Sequence, residues 1–495
     1  MIDVVLGVDV GTSSTKGVVV DTDGRILGAA TRPHLVDRPR PGHVEMDAHV
    51  WWDEFVSITA ELLDRGDIAV QAVGVSGMGP CTLLVDETGE PVRPAVLYGV
   101  DTRAGAQIAR LNRELGADTV FRRCGSALSS QAVGPKLAWI RDHEPEAWTR
   151  ARRLLMPASW LVHRLTGGYV LDLHSASQCT PLFDIHERRW IPEWAHHIAP
   201  GIELPPLRWP GQEAGRVNTP VGGIPAGTPV ITGTIDAWSE AVSVGGHGTG
   251  DLMLMYGTTM FLVHTVDRLV TSPSMWATLG AMPGTRCLAG GLATSGAVTD
   301  WLGHLFGDIT TGTLFEEAAA SPPGANGLVM LPYFAGERTP LMDPDARGVI
   351  AGLTLRHTRG DLMRAALEAT AHGVRHNIET MLTAGADIRR IVAAGGGTRG
   401  SLWPQIVSDV TGLEQTVPRT TIGASYGAAY LAAALIGQAD ITVWNPPETV
   451  IRPDPATTTV HDRRHSQYLD LYTDTAAIIH ALAHDQNSHP AADTS

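Results

Sequence analysis

The chain has 495 residues, of which 43% are hydrophobic and 18% are charged, so it is long and apolar enough for two or more globular domains. Its formal net charge of -15 argues against broad binding to nucleic acid or to an anionic membrane, since either surface demands a basic face. The four cysteines are scattered without metal-ligand spacing, and neither a targeting segment nor a membrane-spanning apolar run is found, which predicts a cytoplasmic protein.

The N-terminal residues predict a β-hairpin whose turn binds phosphate. A strand at residues 4–10 runs into Gly11 and Thr12 before a second strand, and the N–H and hydroxyl groups of such a turn suit phosphate oxygens. Asp9 places a carboxylate inside the first strand, where we expect it to meet a Mg2+ ion that travels with a nucleotide. Lys16 is one of only two lysines and suits a compact charge for phosphate. An ordinary hairpin without a ligand is the alternative.

Further short elements in the first half predict a mixed sheet. Strands are expected at residues 25–29 and 69–76, with a helix at residues 48–65 between them. Two turns that follow strands are expected to bind a hydroxylated ligand, and their candidate residues are Met78, Gly79, Tyr98, Asp101 and Arg103. Pairing of Asp101 with Arg103 at the surface is the alternative for the last two.

Asp236 is the strongest catalytic candidate. It follows a helical pattern at residues 136–166 and a turn-rich segment, and it starts a helix just before a Gly-rich hinge at residues 245–250. Asp236 is either a helix cap or a carboxylate that orients a hydroxyl and accepts its proton during phosphoryl transfer. We expect the helix dipole to keep it ionised.

The second half opens with a repeat of the hairpin. Residues 252–263 carry Gly257 and Thr258 at the turn, which predicts two halves that close on one phosphate chain. A helix is expected at residues 296–305. A longer helix is expected at residues 361–384, with Asp361 as its N-cap.

A strand at residues 390–394 enters a glycine turn that contains Gly396 and Gly400. Its spacing fits a dinucleotide-binding fingerprint, but the acidic residue and the further βα units of a dinucleotide fold are missing. We expect this turn to hold the nucleoside end of a nucleotide, and tight packing of helix on strand is the alternative. The charged tract at residues 336–347 is interpreted as a salt-bridged loop rather than a catalytic segment.

The remaining C-terminal sequence predicts more helices. They are expected at residues 401–411, at residues 423–436, where small residues suit close packing, and at residues 462–483. A polar tail follows and is expected to be disordered.

Together these stretches resemble the FGGY family of carbohydrate kinases, from about residue 8 to residue 437. The most specific match is GVIAGL at residues 348–353 followed by DLMRAALE at residues 361–368, and KLAWIRDH at residues 136–143 fits the family's other signature in part. The resemblance implies two ribonuclease H-like α/β domains of the actin, Hsp70 and sugar-kinase superfamily, with a cleft between them. It implies phosphorylation of a sugar or polyol hydroxyl, with ATP and Mg2+ as cofactors.

The resemblance also implies roles for particular residues. Asp236 matches the catalytic base and a substrate contact, and Asp9 matches the carboxylate that faces Mg2+. The implied domains are a sugar-binding domain at residues 1–244, an ATP-binding domain at residues 245–440, and an extension at residues 441–495 with a helix and the disordered tail. The implied nucleotide-binding residues are Gly11, Thr12, Lys16, Gly257, Thr258, Gly296, Asp300, Gly396 and Gly400.

The pattern looks most like that of xylulose kinases, with two departures near the sugar. Those enzymes carry Gln-Met-His-Gly where this chain has GMGP at residues 77–80, and Asn where Ala237 follows the base. We predict a ketopentose such as xylulose as the acceptor, with another ketose, a polyol or a deoxy sugar as the alternative because polar contacts are lost. A non-catalytic regulator of the same fold is a further alternative. The expected partner is a small-molecule sugar rather than nucleic acid or membrane, and a homodimer is left open.

Overall fold

The computed structural model describes residues 1–437 and 439–488, so residues 489–495 of the predicted disordered tail lie outside the described residues. Its strands are Ile2–Val10 (β1), Ser14–Asp21 (β2), Ile26–Pro33 (β3), Glu45–Met46 (β4), Ile68–Gly77 (β5), Leu83–Val85 (β6), Ala95–Val96 (β7), Arg153–Leu155 (β8), Leu171–Asp172 (β9), Phe183–Asp184 (β10), Arg189–Trp190 (β11), Leu207–Arg208 (β12), Glu213–Arg216 (β13), Pro229–Ile231 (β14), Thr234–Ile235 (β15), Asp251–Tyr256 (β16), Met260–Val266 (β17), Trp276–Leu279 (β18), Arg286–Leu292 (β19), Val329–Leu331 (β20), Val349–Ala351 (β21), Arg390–Ala394 (β22), Gln415–Pro418 (β23) and Pro447–Ile451 (β24). Its α-helices are Ala48–Leu63 (α1), Gly105–Leu115 (α2), Ala117–Cys124 (α3), Val133–His143 (α4), Pro145–Arg150 (α5), Pro157–Thr166 (α6), Leu173–Ser177 (α7), Pro192–Ile198 (α8), Asp236–Ser243 (α9), Gly296–Leu305 (α10), Thr311–Ala320 (α11), Arg359–Thr383 (α12), Leu402–Thr411 (α13), Ala424–Leu435 (α14), Ile441–Trp444 (α15) and Thr458–Ser488 (α16).

The first of two compact units comprises Met1–Thr249, Thr265–Leu288 and Thr420–Pro446. Its main sheet has the strand order β13-β14-β5-β1-β2-β3, and β15 also pairs with β5. Strand β1 is antiparallel to β2 and parallel to β5, while β14 and β15 are parallel to β5. The prediction of a mixed sheet is confirmed, and the carboxyl ends of β1, β5 and β15 lie at one edge of it.

Helix α14 packs directly on this sheet because small residues let the backbones approach. A Cβ atom added at Gly7 of β1 or at Gly74 of β5 would lie 2.0 or 1.9 Å from a carbonyl oxygen of α14. A Cβ atom added at Gly427 would lie 1.8 Å from the carbonyl oxygen of Ser239 in α9. The helix therefore fixes the position of α9 relative to β1 and β5.

The second unit comprises Gly250–His264, Ala289–Arg419 and the chain from Pro447 onward. In it β16 is antiparallel to β17 and parallel to β22, β22 is parallel to β23, and β23 is antiparallel to β24. Each unit thus contains an antiparallel hairpin whose first strand also pairs with a parallel strand. In the first unit the hairpin is β1 and β2 and the parallel strand is β5. In the second unit the hairpin is β16 and β17 and the parallel strand is β22. The repeat expected between the half-chains is thus present in the topology, whereas the domain boundary at residue 244 stays a prediction.

The helical pattern predicted at residues 136–166 is divided among three helices. The structure has α4, α5 and α6 there, with β8 between α5 and α6. Pro145 and Pro157 each occupy a first helical position. Proline is favoured there because it lacks the N–H that a helix interior needs, so it starts a new helix instead of continuing the old one.

The N-terminus of the long helix α12 also differs from the prediction. The N-cap is Thr358, and Asp361 lies three residues into the motif, where its side chain accepts the N–H of Thr358. This is a capping box, in which two residues satisfy each other's backbone donors. The predicted helix at residues 296–305 and the strand at residues 390–394 are observed with the predicted bounds.

Two expectations about the chain as a whole concern membranes and thiols. Among the residues that the structure describes, none of the helices has the length and apolar character needed to cross a membrane. All four cysteines are buried and free of disulfide bonds, which agrees with their interpretation as small apolar residues of the interior.

Candidate active site

The carboxyl edge of the first sheet brings two predicted carboxylates to neighbouring strands. Asp9 of β1 is the register partner of Ser76 in β5, and Ser76 is also the register partner of Thr234 in β15. Asp236 follows β15 immediately as the first residue of α9. Open α/β sheets bind their ligands at this edge, so the topology places both carboxylates where a substrate is expected.

Asp9 is buried, and its carboxylate accepts a hydrogen bond from Ser76 Oγ at 2.8 Å. The exposed Lys16 is its register partner across the hairpin. Burial raises the pKa of the Asp9 carboxyl to about 6, although the hydrogen bond from Ser76 and the charge of Lys16 both lower it. One hydrogen bond leaves most of the carboxylate lone pairs available, and a cation or another donor can use them.

Asp236 is partly exposed, and its carboxylate accepts the N–H of Ala237 at 2.7 Å. The helix N-cap is Ile235, so the interpretation of Asp236 as a cap is wrong. Loss of water raises the pKa of Asp236 to about 8, and the nearby charges of Asp9 and Glu240 add to the rise. This rise opposes the predicted effect of the helix dipole on Asp236, because desolvation and the neighbouring carboxylates favour the protonated form.

Glu240 is a carboxylate that the sequence interpretation left without a role. It lies one helical turn after Asp236 in α9 and is only 6% exposed. Burial raises its pKa to about 7, the charge of Asp9 raises it further, and Lys16 opposes the rise. The signal in the sequence was the spacing of four residues from Asp236, which puts both side chains on one helix face.

Side chains outside the first hairpin support its turn. His34 Nε2 donates to the Gly11 carbonyl at 3.0 Å, and the Thr12 hydroxyl lies 2.9 Å from the Tyr98 hydroxyl. The Gly11 N–H donates to the Ser14 carbonyl at 3.0 Å, so it is used within the turn. In the described part of the chain the N–H groups of Thr12 and Ser13 donate to no acceptor. Two adjacent free donors and a lysine are what an anion such as phosphate requires.

The turn that contains Met78 and Gly79 packs against Ile235, the residue before α9. Met78 is buried, and its N–H donates to the Val10 carbonyl at 2.7 Å. A Cβ atom at Gly79 would lie 2.8 Å from the side chain of Ile235, the residue before Asp236. Glycine thus lets this turn approach the helix start, and a role for either residue in substrate binding stays a prediction.

Tyr98 is held by a lysine that the sequence interpretation did not assign to the site. Lys136 of α4 is buried, and its ammonium group donates to the carbonyls of Leu97 and Tyr98 at 2.5 and 2.6 Å. Burial lowers the pKa of Lys136 to about 8. Lys136 fixes the backbone at Tyr98, whose hydroxyl lies 2.9 Å from the Thr12 hydroxyl. The rarity of lysine in this chain was the feature of the sequence that could have pointed to Lys136.

Asp101 and Arg103 form an ion pair in the interior rather than at the surface. Arg103 Nη2 lies 2.7 Å from Asp101 Oδ2, and neither side chain is exposed. Asp101 also accepts the N–H of Val44 at 2.6 Å, while Arg103 Nη1 lies 2.6 Å from Glu45. The surface alternative is therefore wrong. Contact of these two residues with a sugar stays a prediction.

In the second unit, the N-terminus of α10 is attached to the second Gly-Thr turn. The N–H of Gly296 donates to the Gly257 carbonyl at 3.0 Å, and the N–H of Ser295 donates to the Thr258 carbonyl at 3.0 Å. A Cβ atom at Gly296 would lie 2.8 Å from the Gly257 carbonyl oxygen, which explains the need for glycine. Asp300 lies on the exposed face of α10. The two predicted phosphate elements of this unit are thus directly joined.

The glycine turn after β22 contains two kinds of glycine. A Cβ atom at Gly395 would lie 2.4 Å from the Tyr256 carbonyl oxygen, and one at Gly397 would lie 2.8 Å from the Tyr256 side chain. These two serve packing. Gly396 and Gly400 are exposed, and a Cβ atom at either would meet no atom within 4 Å. Open space at these two glycines suits close approach of a ligand, which stays a prediction for them.

The donor set suits a metal ion that arrives with a nucleotide better than a protein-only metal centre. Among the described residues, no group of three His, Cys, Asp or Glu side chains is arranged to hold a metal ion. Mg2+ bound with nucleotide phosphates needs one or two carboxylates, and phosphate oxygens and water complete its octahedron. Asp9, with spare acceptor capacity, fits that requirement.

Comparisons with known proteins agree on one family. The N-terminal domain of the FGGY family of carbohydrate kinases matches residues 4–243, and its C-terminal domain matches residues 252–436. A glycerol kinase from Nocardia farcinica is 33% identical over 88% of this chain and 90% of its own length. A xylulose kinase from Staphylococcus xylosus is 26% identical over 87% of this chain and 90% of its own length.

Solved structures give the same result for the fold. The crystal structure of a xylulose kinase from Rhodospirillum rubrum is similar with a TM-score of 0.89 and 30% identity, over 96% of this chain and 100% of that chain. The predicted fold of two ribonuclease H-like α/β domains is confirmed by this similarity. The predicted family resemblance is confirmed by the two domain matches.

Proposed function

This chain belongs to the FGGY family of carbohydrate kinases, and on that premise we propose that it transfers the γ-phosphate of ATP to a hydroxyl of a ketopentose such as xylulose. It is a phosphotransferase with an alcohol as acceptor, like the kinases to which it is similar. The observation that carries the proposal is Asp236, a carboxylate at the carboxyl edge of the sheet whose pKa is raised to about 8.

Asp236 is the general base of the proposed reaction. A base works best when its pKa lies near the working pH, because it is then both ionised in a useful fraction of molecules and strong enough to take a proton. An ordinary aspartate is too weak for an alcohol, and burial beside Asp9 corrects this in part. In phosphoryl transfer the protein mainly positions groups and neutralises charge, so the acceptor proton moves late.

ATP with Mg2+ is the proposed phosphoryl donor, bound by residues 245–440, and the sugar is bound by residues 1–244. Asp9 is the proposed residue for Mg2+, and the ion supplies positive charge at the phosphate oxygens when it is bound. Free donors at the first turn, the junction of α10 with the second turn, and open space at the glycine turn support the assignment. The proposed nucleotide contacts are Gly11, Thr12, Lys16, Gly257, Thr258, Gly296, Asp300, Gly396 and Gly400.

A polyol such as glycerol is the second candidate acceptor. The 33% identity to a glycerol kinase favours it, while the 30% identity to a xylulose kinase of known structure favours a ketopentose. Ala237, which follows Asp236, and Met78 of the turn that precedes Gly79 have apolar side chains, so neither side chain offers a hydrogen bond to an acceptor hydroxyl. Discrimination between hydroxylated acceptors depends on polar partners of this kind. Their scarcity is compatible with a ketopentose and with a polyol.

The deciding experiment is ADP release from Mg-ATP with a panel of ketopentoses, ketohexoses, aldoses and polyols, against a control without acceptor. The proposal expects the largest stimulation with xylulose or a related ketopentose. Stimulation by glycerol alone would favour the second candidate. Silence with every acceptor, combined with normal ADP binding, would favour a non-catalytic regulator of this fold.

A further inference from the structure

The charged tract at residues 336–347 is attached to the end of β19. In the second unit Glu337 Oε1 accepts the N–H of Ala293 at 2.8 Å and that of Arg338 at 2.6 Å. Two residues on, the Thr339 hydroxyl accepts the N–H of Gly291 at 2.6 Å. The side chains of Glu337 and Thr339 thus hold alternate residues of one strand end.

Burial of the Glu337 carboxyl group is energetically unfavourable. It is 6% exposed, and burial raises its pKa to about 8 against the lowering effect of its two backbone donors. Within the described residues its second oxygen, Oε2, is buried without a hydrogen-bond partner. Buried polar atoms of this kind are rare in native proteins and call for an explanation. A neutral residue of similar size would fill the space with less penalty if filling space were all that was needed.

Thr339 connects the same strand end to the core of the unit. Its hydroxyl donates to Asn377 Oδ1 at 2.6 Å, and Asn377 Nδ2 donates back to the Thr339 carbonyl at 2.9 Å. Asn377 belongs to α12 and is fully buried. Thr339 therefore links the end of β19 to the long helix α12 through hydrogen bonds.

The residues held by Glu337 lead straight into the phosphate elements. Ala293 is followed by Thr294 and Ser295, and then α10 begins at Gly296. Successive N–H groups at Ser295, Gly296 and Ala297 donate to the carbonyls of the second Gly-Thr turn at 3.0 to 3.1 Å. The segment from residue 293 to residue 297 is thus clamped between the Glu337 carboxylate and that turn.

We propose that Glu337 and Thr339 are positioning residues for the phosphate end of the nucleotide, acting through residues 293–297 on the Gly257–Thr258 turn and the N-terminus of α10. The inference rests on the proposed function, which assigns that turn and that helix to the phosphates. Both side chains are buried, so they act on ATP through the backbone that they hold. Groups that bind phosphate must be held within a fraction of an ångström, and support from a surrounding shell of residues provides this.

Substitutions of Glu337 and Thr339 should weaken nucleotide binding and leave acceptor binding unchanged. Glu337→Ala and Thr339→Val should each raise the KM for ATP and the dissociation constant for Mg-ADP, by roughly tenfold for the loss of a hydrogen bond to a buried charged or polar group. The KM for the acceptor should not change. Glu337→Gln and Thr339→Ser keep an acceptor for the backbone N–H groups, so both should restore nucleotide binding to near the wild-type value.

Asp361→Ala is the matched control. Asp361 is a buried carboxylate of the same unit, and it accepts hydrogen bonds from Ser321, Asn326 and Thr358, which belong neither to α10 nor to the Gly-Thr turn. This variant should lose thermal stability without a change in the KM for ATP. If Glu337→Ala and Thr339→Val behave like the control, with lowered stability and unchanged affinity for Mg-ADP, the inference is overturned and the proposed function stands. If the wild-type protein binds no nucleotide, both fall.

Discussion

Asp9, Glu240 and the partly exposed Asp236 are three carboxyl groups with elevated pKa values. Among the described residues, Lys16 is the one cation that lowers the pKa of both Asp9 and Glu240. At neutral pH these three carboxyl groups are protonated in a larger fraction of folded than of unfolded molecules, so the chain releases protons when it unfolds. This arrangement supports the proposed roles of Asp236 as the base and of Asp9 as the residue that faces Mg2+, and the raised pKa values lower the stability of the fold at neutral pH.

Replacement of the base should separate binding from chemistry. We expect Asp236→Asn to lower kcat by roughly 10² to 10⁴-fold, the usual contribution of a general base, while Mg-ADP still binds. Asp172→Asn is the control, because Asp172 is another buried carboxylate of the first unit, whose Oδ2 accepts from Thr234 Oγ1 at 3.0 Å. Steady-state kinetics with calorimetric ADP binding test this, and near-normal turnover of Asp236→Asn would refute the assignment.

The same substitution should change how stability depends on pH. The folded pKa of Asp236 is about 8, above the unfolded value of about 3.9, so its contribution to stability is complete below pH 4 and is lost as the pH rises through 8. Asp236→Asn removes this loss, and each pKa unit corresponds to about 1.4 kcal/mol. We expect the variant to gain more thermal stability over wild type at pH 8.5 than at pH 5. An equal difference at both pH values would show that the carboxyl is not strongly shifted.

At the scale of elements, two helices matter most because small residues place them. Helix α14 fits against β1 and β5 through Gly7 and Gly74, and it fixes α9 and hence Asp236. Helix α10 fits against the second Gly-Thr turn through Gly296. Close backbone approach, rather than side-chain chemistry, therefore sets the geometry of both predicted parts of the site.

Helix α14 offers a test in which packing and propensity have opposite signs. Alanine is a better helix former than glycine by about 1 kcal/mol, so propensity alone predicts that Gly427→Ala stabilises the protein. The new Cβ atom would lie 1.8 Å from the Ser239 carbonyl oxygen, so we expect lower stability and lower turnover. Gly312→Ala in α11 is the control, since its Cβ would meet only one atom, at 3.9 Å, and it should be neutral or stabilising. Denaturant unfolding of both variants gives the comparison.

At the scale of the whole molecule, a protein with a net charge of -15 must bind a strongly anionic nucleotide. The first unit contains Lys16, two free N–H donors and the carboxyl groups of Asp9, Asp236 and Glu240. Each of these carboxyl groups that is ionised repels a bound anion, so binding of a nucleotide is favoured when a cation accompanies it. This balance of charge is the physical argument for Mg2+ in the proposed reaction.

Mg2+ should therefore govern how much a nucleotide stabilises the protein. A ligand that binds only the folded chain adds about 2.7 kcal/mol at a hundredfold excess over its dissociation constant. We expect Mg-ADP to raise the unfolding temperature well above the rise produced by ADP with EDTA, and Asp9→Asn to remove most of this difference. Scanning calorimetry measures both. Equal stabilisation with and without Mg2+ would argue against Asp9 as the residue that faces the metal.

Local patterns were enough to predict the hairpins, the helix at residues 296–305 and the positions of Asp9 and Asp236 along the chain. They failed where a decision depended on partners distant in sequence. The break in the pattern at residues 136–166 was visible in Pro145 and Pro157. The raised pKa of Asp236 was not visible, because it depends first on desolvation in the fold and then on Asp9, which is remote in the chain.

The amino-acid sequence by itself determined the family, the repeated hairpin and the types of residue at the site, since these depend on composition, spacing and turn chemistry. Only the tertiary structure decided which glycines serve packing, that Asp101 and Arg103 pair in the interior, that Glu240 joins the carboxylates, and that Glu337 holds the entry to α10. The physical reason is that desolvation and backbone approach depend on residues brought together by folding, and a linear pattern carries no record of those distances.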